Sequence, residues 1–83
     1  MLRDIKPAEA FPPGEYLRDE LKAHGWTQRQ FAQIIRRPLQ RVSEIINGRK
    51  RITERTALQI AAALGTSACV WLNLETNYQL WKA

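Results

Sequence analysis

The sequence is poor in the groups that chemistry needs: it holds one cysteine, Cys69, and one histidine, His24. A single cysteine excludes an internal disulfide and a thiolate metal cluster. Ser43 and Ser67 have no nearby base, and no pair of acids stands at nucleophile or metal-ligand spacing, so nothing meets the requirements of a catalytic site. No enzyme activity, cofactor or metal is expected. Long apolar runs are also missing. None approaches the roughly 18 residues of a membrane span, and the start "MLRDIKPAEAF" lacks the apolar stretch of a secretion signal. A cytoplasmic protein with no membrane partner is the expectation. At 83 residues and 9.6 kDa the chain suits one domain with a modest core and leaves no room for a deep catalytic cleft. Stability should be marginal, with dimerisation as a supplement.

What is abundant is positive charge, and it is concentrated. Of the net charge of +5, all arises between residues 36 and 55, where Arg36, Arg37, Arg41, Arg49, Lys50, Arg51 and Arg55 face only Glu44 and Glu54. The remaining residues hold equal numbers of acids and bases. A merely solvated face would be interspersed with acids, as "EYLRDELK" is, so the clustering points to a polyanion partner.

Hydrophobic spacing predicts five helices and no strand, an all-α fold preceded by an N-terminal arm over residues 1–13. Helix one runs from about Gly14 to Ala23 with Leu17 and Leu21 inward and Gly25 as its stop. Thr27 caps helix two, about 28–35, with Trp26 as a hydrophobic staple. Pro38 suits the first turn of helix three, which Gly48 ends after Asn47. Thr53 caps helix four, which ends at Gly65, and Ser67 opens helix five, about 67–82.

Two short helices joined by a turn of two or three residues are the sequence form of a helix-turn-helix. In helix three, Val42, Ile45 and Ile46 must face a core, which turns Leu39, Gln40, Ser43 and Asn47 outward with Arg41 and Glu44 flanking. The basic stretch is thus a presented helix rather than a tail. An α-helix fits the major groove of double-stranded DNA, where Gln pairs with adenine and Arg with guanine. Gln40 is the leading candidate for base readout, supported by Leu39, Arg41, Ser43 and Glu44. Leu39 is equally suited to a core contact. Glu44 either accepts from cytosine or holds Arg41 by a local ion pair. Arg36, Arg37, Asn47, Arg49, Lys50 and Arg51 are assigned to the phosphates, with one of the two turn arginines also able to pack its stem on the turn.

"TQRQFAQIIRRPLQRVSEIINGRKRIT" resembles the helix-turn-helix of the phage Cro/cI repressor class. The flanking "PPGEYLRDEL" and "ALQIAAALGTSACVWLNLETNYQLW" extend the resemblance to HigA-type antitoxins over residues 11 to 82. That resemblance implies a five-helix Cro/cI-like fold, a cognate HigB/RelE-like mRNA endonuclease neutralised by binding, and repression of the shared operon by a homodimer on a palindromic operator. It also implies that Gln28 anchors a phosphate, helped by the helix N-terminus. A stand-alone phage-type repressor without a toxin partner is the alternative. Three positions depart from the family pattern: Arg36 stands where a turn Gly is usual, Pro38 where Ser or Thr often opens helix three, and Pro12 where His is usual. Without glycine's freedom the turn must keep its geometry under strain or change it.

On helix five, Trp71, Leu74, Tyr78 and Trp81 form a stripe expected to be core or a dimer face, since few cations interleave with it for RNA stacking. In the arm, Leu2, Ile5 and Phe11 are the candidate toxin anchors.

Overall fold

Local signals set most of the helix ends. The computed structural model describes residues 11–83 and contains α1 (Pro13–His24), α2 (Gln28–Ile35), α3 (Leu39–Ile46), α4 (Glu54–Leu64) and α5 (Ala68–Lys82), with no strand among the described residues. Leu2 and Ile5 lie outside the described residues. The α2 start is tied twice: Gln30 N–H donates to Thr27 Oγ1 at 3.0 Å while Thr27 N–H donates to Gln30 Oε1 at 2.9 Å. Trp26 stacks on Phe31 with ring centroids 6.1 Å apart, which completes the staple across this capping box. Thr53 and Ser67 accept from the Thr56 and Cys69 amides at the starts of α4 and α5. Pro38 stands one position outside α3 rather than inside its first turn, because its ψ of 144° is extended; its carbonyl accepts from Arg41 and Val42.

Helices α1 and α2 both pack on α3, and α4 packs on α2 and α5. The core between them contains Leu17, Phe31, Val42, Ile45, Ile60 and Trp71, all at most 3% exposed. Each such side chain contributes about 1.5–3 kcal/mol by leaving water. The Trp71 indole, buried with them, donates its N–H to Thr66 Oγ1 at 2.8 Å, so no donor is stranded.

Two backbone constraints aim α3. At Gly14 the first turn of α1 runs directly against the end of α3: a Cβ there would collide with the carbonyl oxygens of Ile45 and Ile46. At the other end, α2 exits through a left-handed residue, as α1 and α4 do at Gly25 and Gly65, but here the residue is Arg36 with φ 58° and ψ 47°. Its N–H and that of Arg37 donate to Gln33 and Ala32 carbonyls, closing the helix end in the way glycine usually does. The turn therefore keeps its geometry and holds the strain.

Gly14→Ala is expected to destabilise the fold by about 2–3 kcal/mol, as overpacked contacts do, because backbone rather than a flexible side chain must give way. Thermal denaturation checks this. Arg36→Gly should act in the opposite direction: relief of the left-handed conformation, less the added freedom of the unfolded chain, leaves about 0.5–1 kcal/mol of stabilisation. A lower melting temperature for Arg36→Gly would contradict the strain assignment.

Candidate nucleic-acid interface

With Val42, Ile45 and Ile46 buried at 1–3% exposure, the rotation of α3 is fixed and its opposite side must face outward. Leu39, Gln40, Ser43, Glu44, Asn47 and Arg49 line one shallow concavity there. Gln40 is exposed at its centre, while Leu39 is partly buried and packs on the core with its other side. Glu44 belongs to this outward row rather than to its flank. Arg41, half-buried, lies outside the concavity on the side of the helix.

The polar groups of this face hold one another. Gln40 Nε2 donates to Glu44 Oε2 at 3.4 Å, a long contact one helical turn apart. No Arg41–Glu44 ion pair forms among the described residues, so the partner of Glu44 is the glutamine. Bound in this way, the Gln40 amide keeps its carbonyl oxygen and one N–H unspent, which is the pair that an adenine edge requires. Asn47 Oδ1 accepts from Arg18 Nη2 at 3.4 Å, which adds a cation from α1 to this edge. That arginine was hidden in sequence because its neighbours on α1 are acids.

Around the concavity the charge remains open. Arg36, Arg49 and Lys50 are exposed, and Gln28 sits half-buried at the first position of α2. Arg37 is different. Its Nε donates to Gln59 Oε1 at 2.8 Å in a partly buried bond, which pins the turn to α4 and aligns one edge of the guanidinium. Among the described residues, Arg51 is the one cation of the 36–55 stretch within 4.0 Å of a carboxylate, that of Glu75. Glu75 itself is only 6% exposed and accepts the Ile52 N–H at 2.9 Å. Neither Gln59 nor Glu75 stands out in the sequence, since each acts on a residue more than twenty positions away.

The α5 stripe divides. Trp71 is core and Leu74 packs against it, Tyr78 is half-buried, and Trp81 is 47% exposed, stacked on Tyr78 at 6.1 Å. Glu75, not Trp81, shares the buried side with Trp71. Phe11, the one candidate anchor of the arm within the described residues, is half exposed beside Tyr16.

Comparisons with known proteins agree with this geometry. The helix-turn-helix family HTH_3 matches residues 17–71. The chain is 38% identical over 72 residues to virulence-associated protein I of Dichelobacter nodosus, covering 86% of this chain and 67% of that protein. Among solved structures, an addiction module antidote protein of the HigA family from Coxiella burnetii superposes with a TM-score of 0.82 at 37% identity, over 87% of this chain and 79% of its own. The Pseudomonas aeruginosa antitoxin HigA, solved with the higBA promoter, gives 0.85 at 28% identity, over 89% and 82%. The family is one of DNA-binding regulators. With its Cro/cI-like arrangement of five helices, the chain belongs to the HTH_3 helix-turn-helix family and, within it, to the HigA-type antitoxins.

Proposed function

We propose that this protein represses its own operon as a homodimer on a palindromic operator and neutralises a cognate HigB/RelE-like mRNA endonuclease by binding it. The observation that carries the DNA half is the outward row of α3, with Gln40 exposed and oriented by Glu44 inside the one stretch that holds the chain's excess charge. The P. aeruginosa HigA relative, solved with its promoter, supports the same use of the fold.

In this reading the interface separates two tasks. Gln40 reads an adenine edge, with Ser43, Leu39, Arg41 and Glu44 in support, and these contacts discriminate sequences. Gln28, Arg36, Arg37, Asn47, Arg49, Lys50 and Arg51 hold phosphates and supply affinity that falls with salt. The left-handed Arg36 supports this assignment, because strain kept at an exposed position is characteristic of functional sites. Pairing of two protomers near α5, where Val70, Leu80 and Trp81 are exposed, places two α3 helices about 34 Å apart on one DNA face. Toxin binding is assigned to the N-terminal arm, with Phe11, Leu2 and Ile5 as its apolar anchors.

The test is the double variant Gln40→Ala/Arg41→Ala. Operator preference over a scrambled duplex should fall by about one to two orders of magnitude for each bidentate pairing with a base that is removed, while rescue of cells expressing the toxin from the neighbouring gene stays intact. Loss of both activities in a folded protein contradicts the division of surfaces. A neighbouring gene that encodes no RNase-like protein favours a stand-alone repressor.

A further inference from the structure

We propose that Glu75 is a positioning residue of the DNA grip: from α5 it sets the backbone behind Arg49–Arg51 and turns Arg51 toward the phosphates. The inference rests on the assignment of those cations to DNA. A carboxylate taken out of water is costly unless bonded, and Glu75, 6% exposed, has both oxygens engaged. Oε1 accepts the Ile52 N–H at 2.9 Å, which fixes the chain immediately after Arg51. Oε2 accepts from Gln79 Nε2 at 2.6 Å and lies 4.0 Å from Arg51 Nε.

That arrangement sets the carboxylate beside the arginine at ion-pair rather than hydrogen-bond distance. The Arg51 side chain is 70% exposed and approaches the carboxylate through Nε, so most of the guanidinium stays open to solvent. A guanidinium can do this because its donors are set in a rigid fork; a lysine ammonium cannot pair inward and present donors outward in fixed geometry. Arg49 and Lys50 of the loop and Lys82 at the end of α5 line the same cavity as Glu75, so the one buried anion faces a cationic wall with Arg51 nearest to it. An amide at this position would satisfy Ile52 equally well. The charge is required by the cations.

Glu75→Gln separates this role from fold support by the sign of its effect. The variant keeps an oxygen for the Ile52 N–H, so it should fold, and it raises the net charge by one. Charge alone would then tighten DNA binding. Positioning predicts the reverse: affinity for operator and scrambled duplexes alike falls about three- to tenfold, and the log–log salt slope becomes shallower by about 1, as when one phosphate is no longer held. Adding Glu75→Gln to Arg51→Ala should cost nothing further. Binding by Glu75→Gln as tight as or tighter than wild type, or additive losses in the double variant, overturns the proposal. Arg51→Lys gives a second route that leaves Glu75 untouched and preserves charge; it should weaken binding nearly as much as Arg51→Ala, and wild-type binding by Arg51→Lys is equally fatal. Wild-type affinity and salt slope in both Arg49→Ala and Arg51→Ala would instead show that the loop does not hold phosphates.

Discussion

Three β-branched side chains, Val42, Ile45 and Ile46, decide what this molecule presents to its surroundings. Each is buried, and because α3 has only 8 residues their burial fixes its rotation with no slack. Gly14 under the last carbonyls of α3 and the strained turn at Arg36 before its start then fix its translation. The outward row of Gln40, Ser43, Glu44 and Asn47 is the consequence. A helix held at three sides by backbone and core, rather than by its own propensity, is what a short recognition element needs.

The electrostatics are arranged in the same spirit. Most cations of the 36–55 stretch remain exposed, and two have partners on the helices behind: Arg37 donates to Gln59 before α3, and Arg51, itself largely exposed, lies 4.0 Å from Glu75 in the segment after it. Both partners come from the helices α4 and α5 that pack behind the motif. The motif is therefore not an autonomous hairpin. Its charged ends meet side chains of the scaffold, whose last helix carries Val70, Leu80 and Trp81 exposed.

Much of this was legible in the sequence wherever the cause is local. Thr27, Thr53 and Ser67 bond amides two or three residues ahead, and Gly25, Gly48 and Gly65 take the left-handed exits that their positions suggest. The inner face of α3 followed from spacing alone. What escaped has partners far along the chain. Glu75 reads as a surface acid by type, yet it turns inward to meet Ile52 23 residues away, while Trp81 near the end of α5 stays 47% exposed. Gly14 reads as a simple helix start, and only the packing of α1 on α3 reveals that no side chain fits there. Glu44 had two candidate partners in sequence, Arg41 or a base; in the free protein it does not pair with Arg41 and instead accepts from Gln40.

We propose that α3 reads sequence while the surrounding cations supply affinity. This division is tested most directly by titrating the purified protein onto a duplex from upstream of its own gene and onto a scrambled duplex, following fluorescence anisotropy at several salt concentrations. The expected result is a preference of about a thousandfold or more for the upstream duplex, with affinity for both falling steeply as salt rises. Equal, weak binding to the two duplexes would contradict it.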